Sequence, residues 1–307
     1  MSYLDNCQVN IVDIGASGGI HPKFKKVINN LKGILFEPDP REFSRLKGSA
    51  PNDHIVLNTA LSEMSGEVDF HLCKKQEVSS IYLPNNEFLI NFPDLNRFSI
   101  TKTIKLIADT LDNQLDKNGI KDIDFIKSDT EGSELSILKG AENVLHKVVG
   151  LELEIYFAPV RVNQPLFHDV NKYLIENNFS LVNIRRFYWK RLNSFYNFGK
   201  GEMIFCDALY FRTPENICQL PEINERKIIA CFLLLLTYNY LNLAEALYIL
   251  AKQQKLITED TINEIHLLLE KYRRRIVLAD FKGRQRIYNI LMRIANTFSN
   301  HTYDREL

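Results

Sequence analysis

Apolar and polar positions follow two rhythms along this chain. The run 9–14 (VNIVDI) is β-branched and ends at a glycine-rich turn, which predicts a strand. Residues 22–30 read as a helix, 33–37 (GILFE) as a short strand, 41–46 as a helix and 54–60 as a third strand. The segments 66–72 (GEVDFHL) and 100–107 (ITKTIKLI) alternate at period two and predict an added antiparallel hairpin. Between them, 74–99 has several Pro and Asn and little periodicity, the pattern of a long loop. Strand signals return at 123–127, 148–155, 179–184 and 203–211. Helical spacing returns at 134–145, through Leu135, Leu138, Ala141, Val144 and Leu145, and again at 170–176.

Strands interleaved with helices predict an α/β fold with a mostly parallel sheet covered on both faces, seven strands plus an inserted hairpin. Such sheets bind ligands beyond the carboxyl ends of their strands. The pattern changes near Pro214 and Pro221. Residues 226–240, 243–253, 258–280 and 283–298 read as helices, with no strand signal among them. The expected division is an α/β domain over 1–213 and a helical domain over 222–307. The 307 residues suffice for two domains of roughly 150 each.

Composition narrows the class. Hydrophobic residues make up 45% of the chain, enough for a real core. Lys plus Arg number 38 and Asp plus Glu 38, a neutrality that argues against a nucleic-acid partner. The five cysteines form no C-x-x-C pair, so neither a disulfide framework nor a zinc motif is expected, and a reducing, cytoplasmic compartment fits. The N-terminus lacks the basic start and apolar run of a signal peptide. The longest apolar stretch, 228–241, has 14 residues and includes Thr237, Tyr238, Asn239 and Tyr240. A membrane span needs about 20, so this stretch reads as a buried helix.

Three strand ends carry candidate chemistry. The first runs into Asp13-Ile14-Gly15-Ala16-Ser17-Gly18-Gly19, where glycines allow a sharp turn and a close backbone approach to a ligand. The helix expected next would supply free N–H groups. A dinucleotide fingerprint counted from Gly15 needs glycines where Ser17 and Ile20 stand, so that reading fails. An acid two residues before the first glycine suits a ligand with a positive amine, as S-adenosylmethionine has. Glu37, followed by Pro38, ends the second strand, where a carboxylate accepts hydrogen bonds from ribose hydroxyls. The alternative is a solvated Glu before a turn. After the strand 123–127, Ser128-Asp129-Thr130-Glu131-Gly132 brings two carboxylates to the sheet mouth. Asp129 suits cofactor binding, substrate orientation or proton removal. Glu131 is either a site residue or a capping acid for the next helix.

Four blocks resemble the FkbM-type methyltransferases: VDIGASGG (12–19), FEPDP (36–40), NTALSEMSGEV (58–68) and DFIKSDTEGSELSILKGAENVL (124–145). The segments 163–182 and 200–212 are similar to members found with surface-glycan genes. The similarity covers roughly 9 to 212 and leaves out the helical tail. It implies a class I methyltransferase fold with S-adenosylmethionine as methyl donor. Asp13, Gly15, Ala16, Ser17 and Gly19 would then cradle the methionine end, Glu37 and Pro38 the ribose, and Ala60 and Leu61 the adenine. Asp129 would lie near the sulfonium. The family's usual acceptors are hydroxyls of sugars or natural products, so a carbohydrate or glycoconjugate is the expected acceptor. A small natural product, a peptide or a non-catalytic scaffold role are the alternatives.

A hydroxyl acceptor gains from a base. The candidates are Asp129, Glu154 at the end of the strand 148–155, and His168. Glu154 alternatively makes a structural ion pair with Arg161, Arg185 or Arg186, and His168 alternatively serves structure at a helix start. Asp129, Glu131 and Glu154 offer hard oxygen ligands for a divalent ion, but no spacing establishes one and no metal is predicted. S-D-T-E stands where amino-methylating DNA enzymes carry an N-P-P-Y-like turn, which again argues against nucleic acid. Tyr156, Phe157, Phe187, Tyr188 and Trp189 suit either a sugar-stacking wall or the core.

The tail adds one charged stretch. From 271 to 293, Lys271, Arg273, Arg274, Arg275, Lys282, Arg284, Arg286 and Arg293 face a single acid, Asp280. This suits an anionic glycan, a lipid-linked intermediate or peripheral contact with the inner face of a membrane, or else a solvated helix face. The same helices offer a homodimer interface.

Overall fold

The computed structural model describes residues 2–193, 200–279 and 281–298, with the side chains of 274–279 and 295–298 outside that set. Its strands are β1 (Gln8–Ile14), β2 (Asn30–Phe36), β3 (Ile55–Leu57), β4 (Ala60–Leu61), β5 (Gly66–Cys73), β6 (Ile100–Asp109), β7 (Phe125–Ser128), β8 (Gly150–Tyr156), β9 (Ser180–Trp189) and β10 (Glu202–Phe211). Seven form one sheet in the order β3-β2-β1-β7-β8-β10-β9. The run from β3 to β8 is parallel, and β10 is antiparallel to both of its neighbours. The expected α/β sheet and inserted hairpin are both present. β5 pairs antiparallel with β6, and β4 joins them in a second, three-stranded sheet.

The helices are α1 (Tyr3–Asn6), α2 (Pro40–Ser49), α3 (Asn86–Leu89), α4 (Leu111–Lys117), α5 (Glu134–Lys139), α6 (Glu142–Leu145), α7 (Phe167–Glu176), α8 (Pro214–Cys218), α9 (Glu225–Thr237), α10 (Leu241–Gln253), α11 (Glu259–Ala279) and α12 (Arg284–Phe298). Three expectations need correction. The helix over 22–30 shrinks to a 3-10 turn at Phe24–Lys26. Parallel pairing of Gln8 with Asn30 draws that end into the sheet, and Pro22 leaves too few residues to nucleate a helix. The strand over 54–60 splits between two sheets, because Asn58 turns the chain and donates through Nδ2 to the Glu37 carbonyl at 2.7 Å. The helix over 134–145 breaks at Gly140, where a Cβ would lie 2.2 Å from the Ser62 carbonyl oxygen.

The C-terminal helices share a core with the sheet. α9 is buried nearly all round and packs with Val9, Ile11, Phe24, Phe125 and Phe211 in one cluster. Phe125 meets Phe24, Phe211 and Tyr238 with ring centroids 5.6–6.0 Å apart. A buried ion cluster sits beside this packing. Asp124, fully buried, takes both oxygens to Arg226 at 2.9 Å and one to Lys227 at 2.7 Å, and accepts from the Asn10 amide at 2.8 Å. These cations overcome the burial penalty and hold its carboxyl below the usual range. All five cysteines are free and buried. Among the described residues, no helix is long and apolar enough to cross a membrane.

Removing one member of a buried ion cluster leaves the others uncompensated. Asp124→Ala is therefore expected to lose about 3–5 kcal/mol of unfolding free energy. Urea denaturation monitored by circular dichroism measures this. A loss below about 1 kcal/mol, the range of surface pairs, would show that the cluster does not hold the helices to the sheet.

Candidate active site

The carboxyl ends of β1, β2, β4 and β7 surround a cleft with about 680 Å³ of empty space. Gly15 and Ser17 form one edge, and Glu37, Pro38, Asp39 and Glu42 another. Thr59, Ala60 and Leu61 line the far side, and Asp129, Thr130 and Glu131 lie at the mouth of β7. Strand β5 and the segment between β5 and β6 close the cleft through Phe70, Gln76, Glu77, Ser79 and Ile81.

Gly15 is required where it stands. Its φ is +72°, and a Cβ there would lie 2.0 Å from the Asp129 carbonyl oxygen. The β1 and β7 turns thus meet backbone to backbone. The Gly15 and Ala16 amides both donate to the Phe36 carbonyl, at 3.0 and 3.2 Å. The helix expected after this turn does not form: only the 3-10 turn follows, and the Ser17 and Gly19 amides donate back to the Gly15 and Ala16 carbonyls.

Glu37 is 5% exposed, and its Oε1 accepts from the Asp39 amide at 2.9 Å. Burial pushes its carboxyl up to about 7, against that hydrogen bond. Across the cleft, Asp129 keeps 45% of its side chain in solvent, with Lys127 Nζ 3.9 Å away. Burial of its inner side, together with the carboxylates of Glu131 and Asp207, outweighs Lys127 and pushes Asp129 up to about 6.

Glu131 has a left-handed backbone, φ 59°, followed by Gly132 at φ 110°. It accepts from Tyr156 Oη at 2.6 Å and from Arg161 Nη2 at 2.6 Å. Its carbonyl accepts from Ser80 Oγ at 3.0 Å, which ties the β7 turn to the segment between β5 and β6. Glu131 does not cap the next helix; buried Glu134, the first residue of α5, instead holds the β7 turn, accepting from the Thr130 amide and hydroxyl at 2.8 Å and from the Gly132 amide at 3.1 Å. Burial pushes Glu134 up to about 7.

Gly15, Ser17, Glu37, Pro38, Ala60, Leu61 and Asp129 thus meet in one cleft. Asp13, Ala16 and Gly19 are not among its lining residues. Asp13 is 1% exposed and pairs with Lys127 at 3.3 Å, while Ala16 packs with Leu35 and Leu46. Glu154 lies behind the wall, 2.7 Å from Tyr156 Oη, its carboxyl pushed well up by burial and by Asp129 and Glu131. The ion pairs that were alternatives for Glu154 form elsewhere: Arg161 pairs with Glu131 and Arg185 with Asp207. His168 projects from the start of α7, largely exposed, with its ring 3.3 Å from Asp169. Phe187 stacks on Phe205 at 4.4 Å and Trp189 meets Phe92 at 5.6 Å, so these two aromatics pack against other rings. Among the described residues, no three His, Cys, Asp or Glu side chains converge as metal ligands would.

Asp39, Glu42, Phe70, Gln76, Glu77, Ser79 and Ile81 line the cleft but had no assigned role in the sequence. Asp39 carried a signal, since it precedes Pro40 and N-caps α2 by accepting from the Arg41 amide. The insertion residues carried none. With them, six carboxylates (Glu37, Asp39, Glu42, Glu77, Asp129 and Glu131) line the cleft and, among the described residues, no Lys or Arg does.

S-adenosylmethionine fits this lining. The sulfonium and amine are cationic, Glu37 offers a buried acceptor with one backbone donor, and Gly15 lines the cleft with backbone alone. The Methyltransferase FkbM domain model matches residues 4–181. A 2-O-methyltransferase, NoeI, of Sinorhizobium fredii is 27% identical over 157 residues, covering 48% of this chain and 63% of that protein. A hexuronic acid methyltransferase, AglP, of Haloferax volcanii is 30% identical over 147 residues, covering 47% and 54%. The chain therefore spans somewhat over half the length of these relatives. Among solved structures, M. capricolum TrmK with S-adenosyl-homocysteine aligns over 88% of this chain and 92% of its own, at 11% identity and a TM-score of 0.33, a likeness too loose to bear on function.

Gly15→Ala combines a disfavoured backbone with a clash against Asp129. The backbone alone costs about 1–3 kcal/mol. The melting temperature is expected to fall by several degrees, and binding of S-adenosylhomocysteine with it. An unchanged melt with unchanged binding would mean the two turns do not touch as described.

Proposed function

The chain belongs to the FkbM methyltransferase family, and from that premise we propose that it moves a methyl group from S-adenosylmethionine to a sugar hydroxyl of a surface polysaccharide or related glycoconjugate. One observation carries the reading: Glu37 and Asp129 line the same carboxylate-rich cleft, one on each side of the β1 turn at Gly15. When bound, the donor supplies a methyl carbon made electrophilic by the adjacent sulfonium. Glu37 accepts the ribose hydroxyls. Ala60 and Leu61, both buried, flank the adenine. Asp129 takes the proton of the acceptor hydroxyl. Its half-open side chain and its pKa of about 6 suit a base that is mostly ionised at neutral pH yet still basic.

The acceptor class rests on the relatives' names, a 2-O-methyltransferase and a hexuronic acid methyltransferase. The six cleft carboxylates, with no lining cation among the described residues, weigh against a nucleic-acid acceptor, whose phosphates need positive charge. Five buried free thiols are compatible with a cytoplasmic setting.

Two outcomes follow. In the free protein Glu37 is protonated below about 7, and ribose hydroxyls bind best to its ionised form. Affinity for S-adenosylhomocysteine is thus expected to weaken as pH falls below about 7 and to release protons on binding, both measured by calorimetry. Glu37→Gln should bind weakly and flatten the profile; tight binding with an intact profile would remove Glu37 from the site. Asp129→Asn should lower methyl transfer to a glycan acceptor by roughly 10²–10⁴-fold while cofactor binding is largely kept. Full activity in this variant would overturn the role of Asp129, and no cofactor binding by the wild type would overturn the enzyme itself.

A further inference from the structure

The methyl-transfer reading leaves α12 unused. Every residue from 281 to 294 is exposed except half-buried Met292. Phe281, Ile287, Tyr288, Ile290, Leu291 and Ile294 leave 49–59% of their surface in solvent. At about 100° per residue, the last five fall within an arc of roughly 160°, with Arg286, Asn289 and Arg293 on the opposite side. Such a stripe on a soluble protein normally faces a core. Nothing among the described residues covers this one. Scattered exposed apolar residues need no explanation, but a contiguous stripe marks an interaction surface.

Charge identifies the occupant. The segment 281–294 carries Lys282, Arg284, Arg286 and Arg293 and no Asp or Glu, in a chain with no net charge. Lys282 and Arg284 stand at the entry to the helix, and Arg286 and Arg293 on its polar side. Of the earlier charged stretch, Arg273 is already paired with Glu245 and Glu270, while the side chains of Arg274 and Arg275, and all of Asp280, lie outside the described residues. A second copy of the chain would bring the same cations to the shared seam. An anionic lipid surface offers opposite charge and apolar depth together. No described helix is long and apolar enough to span a bilayer, so a helix of this kind lies in the interface plane.

We propose that α12 is a membrane-surface helix that seats Ile287, Tyr288, Ile290, Leu291 and Ile294 below the headgroups of an anionic leaflet, with Lys282, Arg284, Arg286 and Arg293 among the headgroups. The inference stands apart from the methyl-transfer reading and survives its failure. An acceptor carried on a lipid would meet the protein at that surface.

The test is co-sedimentation of the full chain with phosphatidylcholine vesicles containing about one-third phosphatidylglycerol, against phosphatidylcholine alone. Partitioning at least tenfold stronger onto the anionic vesicles is expected, falling as salt rises. Arg286→Gln and Arg293→Gln should each weaken it by roughly fivefold, the equivalent of about 1 kcal/mol per cation at the surface. Ile290→Ser combined with Leu291→Ser should abolish it while leaving the thermal melt unchanged, since both side chains are exposed. Equal binding to both vesicle types, or no binding, overturns the proposal. So does a concentration-dependent dimer in analytical ultracentrifugation that the double serine variant dissolves, which would make the stripe a contact between copies.

Discussion

The cleft depends on one backbone contact. β1 and β7 lie side by side in parallel register, and their exits turn into each other until the Asp129 carbonyl fills the space a Gly15 side chain would need. The Asp129 amide in turn donates to the Ile14 carbonyl at 3.0 Å. This contact fixes how far Asp129 stands from the β1 turn, and the Phe36 carbonyl, accepting from Gly15 and Ala16, fixes the β2 exit against the same turn. Three strand ends are locked by main-chain atoms. The side chains Glu37 and Asp129 inherit their positions from that frame instead of from their own contacts, and both remain open to a ligand.

The acids sort into two groups around that frame. Asp13 has Lys127, Asp39 has Arg41, Asp124 has Arg226 and Lys227, Glu131 has Arg161, and Glu152 has Lys23. Glu37, Glu134 and Glu154 have no cation at hydrogen-bond range among the described residues, and burial raises all three. Of these, Glu134 is held by three donors of the β7 turn, and only Glu37 lines the cleft. A buried carboxylate with an open side and no counter-ion costs stability as pH rises from its ordinary range through 7, because the folded state holds the proton longer than the unfolded chain. A fold carries such a cost most readily where a ligand relieves it.

Much of this was legible in the sequence because the sheet is built from long apolar runs with acids at their exits. Glu37-Pro38 and Ser128-Asp129 stand where these buried runs end, so strand ends and site residues are read together. The insertion was legible as a hairpin, but not as a wall of the cleft. Phe70, Ile81 and Ser79 are ordinary residues whose role comes from where β4 and β6 carry the segment. Asp13 shows the opposite limit. Its position before the glycines suggests a ligand contact, while the register that sets Lys127 beside it is set by pairing with a strand 114 residues away. His168 likewise has suitable chemistry, but it stands exposed beside Asp169 and is not among the residues lining the cleft.

Proton counting at Tyr156 resolves what the two acids behind the cleft are doing. The hydroxyl lies 2.6 Å from Glu131 and 2.7 Å from Glu154, yet it has one hydrogen. If both carboxyls were ionised, one of these contacts would set two lone-pair oxygens against each other in a buried site. Arg161, wholly buried, donates at 2.6 Å to the same Glu131 oxygen that faces the tyrosine, so that oxygen accepts from both neighbours. The second proton therefore belongs to Glu154, which donates to the tyrosine oxygen while the tyrosine donates to Glu131. Glu154 is then neutral, which explains how an acid is tolerated on a central strand. It also leaves Glu154 unable to serve as the base, since its proton is already in place. On the proposed reading, this leaves Asp129, half open to solvent and paired only loosely with Lys127, as the group able to accept a proton from an acceptor hydroxyl.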